Sequence, residues 1–223
     1  MFRPSRLWSG PTFSSVFQGS IRFNTFVGLA AVSALTGQSG VTLAAVAIIA
    51  MIPLINLFCV PTVAYFGQGR GAGLLPMVIE IVRNPLILAC LAGFTLNLAG
   101  IPKPSGLFQV VDLLGRAALP VGLLAVGASL RIASLQTNIS ALIVSCAVKL
   151  IVFPAVTTLF CLVFQVTGEP KTVAVLFAAL PTSVSSFILA RQLGGDTTIM
   201  ASMVTVHTAL AAVTMPLMIA LLV

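Results

Sequence analysis

Charge is scarce in this chain. Asp, Glu, Lys and Arg make up only 7% of its 223 residues, and just four residues are acidic. A soluble globular domain gives about a quarter of its residues to charge, so this chain could not cover its own surface in water. Period-two alternation is missing too. That argues against a membrane β-barrel and leaves helices as the way to satisfy a backbone in lipid. The four cysteines, Cys59, Cys90, Cys146 and Cys161, show no CxxC spacing and no clustered histidine. Neither a metal site nor a disulfide framework is indicated, and they read as small packing residues. There is no HExxH, no pair of intramembrane aspartates and no GxSxG, and GRGAG (69–73) lacks both a preceding strand and a P-loop lysine. Enzyme and nucleotide-binding readings therefore find no support. The first twenty residues carry basic side chains without the apolar stretch of a signal peptide, and look unlike the start of a free-standing membrane protein.

What is present is apolar sequence, 59% of the chain. Runs such as LIVSCAVKLIVFPAVTTLFCLVF (142–164) reach the roughly 20 residues needed to cross a hydrocarbon core. Seven segments emerge, at about 13–36, 41–66, 84–100, 107–130, 138–166, 171–193 and 197–222, in a single membrane domain over 1–223. The turns GQSG (37–40), IPKPSG (101–106), GEPK (168–171) and LGGD (193–196) separate them, and the stretch 72–83, with Glu80 and Arg83, is expected to lie along the interface. The net charge of +7 is spread one or two residues at a time between apolar runs, so it is topogenic and no nucleic acid is expected as partner. With alternating segments, Arg3, Arg6, Arg22, Arg70, Arg83, Arg131 and Arg191 fall on one side, and Lys103, Arg116 and Lys171 on the other. The positive-inside rule then puts the N-terminus in the cytoplasm and the C-terminus outside.

Two segments have polar, helix-breaking centres. In the sixth, Pro181 removes a backbone donor, and Thr182, Ser183, Ser185 and Ser186 follow it at membrane depth. In the first, Arg22, Asn24 and Thr25 precede the small-residue run GLAAVSALTG (28–37). Each break is followed by a glycine turn and a long helix carrying a proline, Pro53 in one case and Pro216 in the other. Such paired breaks are the weak internal symmetry of inverted repeats, whose half-helix ends bind ions and anions. Lys149, in the middle of the fifth segment, costs about 2.5–3.5 kcal/mol on the insertion scale and should face a cavity or a partner. His207, inside the last segment, is a candidate for titration or for a structural hydrogen bond. Asn56 and Asn97 read as interhelical hydrogen-bonding residues. No carboxylate sits at the centre of a segment, so no carboxylate proton relay is visible.

Several stretches together resemble the auxin efflux carrier (AEC) family of membrane transporters: RFNTFVGLA (22–30), IPLINLFCV (52–60), NPLILACLAGFTLNLAGIPKP (84–104), ALPVGLLAVGASL (118–130), KLIVFP (149–154) and AALPTSVSSFILARQLGGD (178–196). The resemblance implies ten transmembrane helices in two inverted halves of five, with the fourth helix of each half broken where the two cross. It makes 13–66 the remnant of the first repeat and 72–223 a complete second repeat. Helices one to three have no counterpart here, so a shortened member or a fragment is expected. It also implies an all-α inverted-repeat transporter with two discontinuous crossing helices. Such a protein would move a small organic anion by alternating access, as family members do with auxin in plants and carboxylates such as malonate in some bacteria. Asn24, Thr25, Pro181, Thr182 and Ser183 become the expected substrate site, with Lys149 and His207 in coupling or structural roles. No cofactor is expected beyond coupling to H+ or Na+. A homodimer and a multi-pass place in a bacterial inner membrane complete the expectation, and a non-transporting remnant is the alternative.

Overall fold

The structure is a computed structural model that describes residues 8–67, 85–100, 105–128 and 138–223. Among the described residues every element is a helix. Four helical stretches, Gly10–Phe66, Phe108–Ala128, Ile139–Val163 and Thr197–Leu222, are long and apolar enough to cross a membrane. Large side chains such as Phe58, Leu113, Phe160 and Val213 are exposed along them, as a lipid-facing surface requires. The chain is thus a multi-pass membrane protein.

Helix α1 (Gly10–Ile21) starts where the Ser9 hydroxyl accepts from the Thr12 amide, with proline in its first turn. The chain is extended at Arg22, and α2 (Thr25–Phe66) begins after Asn24. The 57 residues from Gly10 to Phe66 would reach about 86 Å as one rod. Instead Gly37, at φ 67 and ψ −149, reverses the chain. That backbone region belongs almost wholly to glycine. The returning half of α2 lies along α1: Phe13 meets the Phe66 ring edge-on at 5.0 Å, and Phe17 and Ile21 pack against Cys59, Val60 and Val63. The turn expected at 37–40 is therefore present inside α2.

Helices α3 (Pro85–Leu98) and α4 (Ser105–Ala128) pack against α2. With 14 residues, α3 spans about 21 Å, short of a hydrocarbon core by itself. Asn138 caps α5 (Ile139–Ala147), which passes through a π-helical turn (Val148–Val152) into α6 (Phe153–Val163). Next come α7 (Gly168–Ala179), α8 (Ser185–Leu193) and, after left-handed Gly194 and the capping side chain of Asp196, α9 (Thr197–Leu222).

The ends of these elements meet in two groups. At one, Asp196 caps α9 while its carboxylate accepts from Thr12 and its carbonyl from Ser15, both of α1. Trp8 donates to Ser140 at the same end. At the other, Ser39 donates to Glu169 at 2.7 Å. A core of Phe23, Val32, Ala44, Ile48, Val173, Leu176, Phe177 and Leu180 fastens α2 to α7 between them. The polar face of α1 is buried, from Thr12 through Ser14, Ser15 and Gln18 to Ser20, so small polar residues rather than bulky apolar ones fill this helix interface.

One expectation changes. Arg22 is not a loop charge: it is 6% exposed, at the break between α1 and α2, because the segment around it starts at Gly10 and is longer than its apolar core. It drops out of the topological count. Arg3, Arg6, Arg70, Arg83, Lys103, Arg131 and the interfacial stretch 72–83 lie outside the described residues.

Candidate functional site at two helix breaks

The first break forms because Asn24 is a better cap than a helix-interior residue. Its side-chain oxygen accepts from the amides of Phe26 at 3.1 Å and Val27 at 3.3 Å, satisfying the free N–H groups at the start of α2. The second break forms because Pro181 has no amide hydrogen and pushes Leu180 into an extended conformation, ψ 147. Helix α8 restarts as the Ser183 carbonyl and side chain take the amides of Ser186 and Ser185.

The two breaks touch. The Asn24 amide donates to the Pro181 carbonyl at 2.9 Å, so a donor freed at one break meets an acceptor freed at the other. Thr182 donates to the Gly19 carbonyl of α1 and accepts from Nδ1 of His207 at 2.7 Å, and Nε2 of His207 lies 3.1 Å from the Ser145 hydroxyl. Thr182, His207 and Ser145 are fully buried. This chain of hydrogen bonds ties α1, α5 and α9 to the second break. Lys149, 1% exposed, points its ammonium at the Ile21 carbonyl, 3.4 Å away, where α1 ends. A cation there offsets the negative end of the half-helix dipole.

Both breaks open on one cavity of about 440 Å³ between α2, α4 and α8. Asn24, Thr25 and Ser183 line it, together with Arg22, Asn56 and Ser185. Of the five residues expected at the site, the structure brings three to this space. Pro181 and Thr182 are not among its lining residues: they hold the break through their bonds to Asn24, Gly19 and His207.

Sequence reasoning missed Arg22, Asn56 and Ser185. The Arg22 guanidinium donates to the Asn56 side-chain oxygen, 34 positions along the chain. Both side chains are buried, at 6% and 2% exposure. A fixed positive charge therefore sits in the cavity wall. The signal was available, since a basic residue beside a helix break inside a span is rarely topogenic. The second amide atom of Asn24, Nδ2, is buried beside this cavity with no hydrogen-bond partner among the described residues. A buried donor left unpaired costs about 1–3 kcal/mol.

The cavity walls combine a guanidinium, three hydroxyls and the N-termini of α2 and α8. All favour negative charge. The sequence pattern of the family described as "Membrane transport protein" matches residues 72–219. A protein of Rhizobium meliloti (strain 1021) described as a "Putative malonate transporter" is 28% identical over 172 residues, covering 70% of this chain and 53% of that protein. The chain spans about half the length of that relative.

Proposed function

Because the chain belongs to the membrane transport protein family, the auxin efflux carriers whose motifs it bears, we propose that it carries a small organic anion across the membrane by alternating access. The anion is a carboxylate of malonate-like size, held between the two breaks. One observation carries the reading: Arg22 is buried in the wall of the cavity on which both breaks open. A guanidinium takes a carboxylate through two parallel hydrogen bonds. The Nδ2 group of Asn24 and the hydroxyls of Thr25 and Ser183 supply the remaining donors, and a volume of about 440 Å³ admits a molecule of this size.

On this reading, α1 with the first half of α2, and α7 with α8, are the two discontinuous crossing helices of an inverted repeat. Residues 13–66 are the part of the first repeat seen here, and 72–223 the second. Pro181 and Thr182 act by fixing the crossing point, and His207 braces it. Transport proceeds as one helical bundle rocks against the other around the fixed site. The name of the Rhizobium relative supports malonate as the first substrate to try, and a bacterial inner membrane as the place to look for it.

The test is uptake of labelled malonate and related carboxylates by vesicles containing the full-length protein. Asn24→Ala and Ser183→Ala should each abolish most of the flux while the protein still elutes as a folded species in detergent. Normal flux in both variants would rule out the site.

A further inference from the structure

A second cavity, of about 390 Å³, lies on the other side of Phe23. Phe23 lines both cavities, is 5% exposed, and packs edge-on against Phe177 at 5.3 Å. The floor of the second cavity holds Lys149, and Thr157 lies two turns further on. The remaining walls are mostly apolar and run toward Leu43 and Pro170, at the end of the molecule where Ser39 meets Glu169.

We propose that Lys149 forms a second anion subsite in this cavity, separated from the Arg22 cavity by the Phe23 ring. The proposal rests on the reading of the breaks as a carboxylate site, and adds a station that the anion occupies on its way to one face of the membrane. Three observations converge on it. The ammonium has three hydrogens to donate, and among the described residues it meets the Ile21 carbonyl at 3.4 Å and the face of the Phe153 ring, 5.3 Å from its centroid, neither of which carries a full negative charge. Among the same residues no carboxylate pairs with it. A buried cation in a medium of low dielectric demands a counter-charge, and the cavity is the space in which one can arrive. Finally, Lys149 sits on a π-helical turn, Val148–Val152. Such turns lengthen and rotate a helix locally and are frequent at functional sites.

The two cations suit different stages. Arg22 is held by Asn56 and presents a planar fork, which selects and orients a carboxylate. Lys149 is a point charge on a flexible stem and holds an anion less strictly. A path needs such a weaker station, because an ion bound tightly everywhere does not leave. The Phe23 ring lies between the two stations and must swing aside for the anion to pass.

Charge-selective thiol labelling tests this whatever the transported anion is. In the full-length protein with Cys59→Ala, Cys90→Ala, Cys146→Ala and Cys161→Ala, Thr157→Cys places a reporter on the cavity wall. The rates of its modification by an anionic sulfonatoethyl and a cationic trimethylammonioethyl methanethiosulfonate are each scaled to a free thiol. The expected result is a preference for the anionic reagent of about tenfold, the size of one modestly screened charge interaction. Lys149→Gln and Lys149→Met should each remove the preference, and Lys149→Arg should keep it even if the neutral variants fail to fold. Arg22→Gln, which disables the first cavity, should leave it unchanged, so failure of the carboxylate site and failure of this subsite are read separately. A thiol that neither reagent reaches, equal scaled rates, or a preference that survives loss of the lysine charge would each overturn the proposal.

Discussion

The two breaks solve the same backbone problem with different chemistry. Between Ile21 and Thr25 the chain uses side chains: Asn24 caps the next helix, and Arg22 is buried against Asn56. Between Ala179 and Ser185 it uses the backbone and hydroxyls: Pro181 forces the interruption, and Thr182 is secured by Gly19 and His207. The first break brings fixed charge to the cavity, and the second brings rigidity and neutral donors. A polar interruption inside a membrane helix is therefore not one kind of feature. Here, one break places a charge beside the cavity, and the other is held by hydrogen bonds to neighbouring helices.

The sharpest way to break this comparison is Arg22→Gln. It should lower malonate affinity at least about 30-fold, the equivalent of about 2 kcal/mol for losing one partner of a buried charged contact. Equilibrium binding to purified protein measures this, and an affinity within threefold of the original would remove charge from the first break's role. Thr182→Val keeps the shape of the side chain but deletes its hydroxyl, leaving the Gly19 carbonyl and a His207 nitrogen without their partner. It should destabilise the fold by about 1–3 kcal/mol, seen as an earlier thermal transition in detergent. If the transition stays put while binding is lost, Thr182 contacts ligand and the division of labour fails. Ser185→Ala should have the smallest effect. The residue is exposed and its 2.9 Å contact with Ser183 is between neutral hydroxyls, so binding should weaken by less than about fivefold, near 1 kcal/mol.

Much of the fold could be read from the chain, because the devices that set it are local. Pro181 ends α7 through its own ring, Asn24 caps residues two and three places away, and Gly37 reverses the chain through its own torsion angles. The helical boundaries around 22–24 and 180–184 followed from these residues alone. The site was only partly legible. Asn24, Thr25 and Ser183 were found because each lies at a break, whereas Arg22 was set aside as a topological charge and Asn56 as a helix-packing residue. The break beside Arg22 hints locally that it is not a loop charge, but its acceptor comes from the returning half of α2 and has no local signal.

The sequence by itself determined that this protein is helical, lies in a membrane and interrupts two of its helices. Proline, asparagine and glycine impose those interruptions over a few bonds, and scarce charge leaves no aqueous alternative. Only the tertiary structure decided which polar groups share a space. Arg22 reaches across 34 positions to Asn56, and Thr182 across 163 to Gly19. Packing between distant segments turns some side chains toward a cavity and others into the scaffold, and no local preference specifies which.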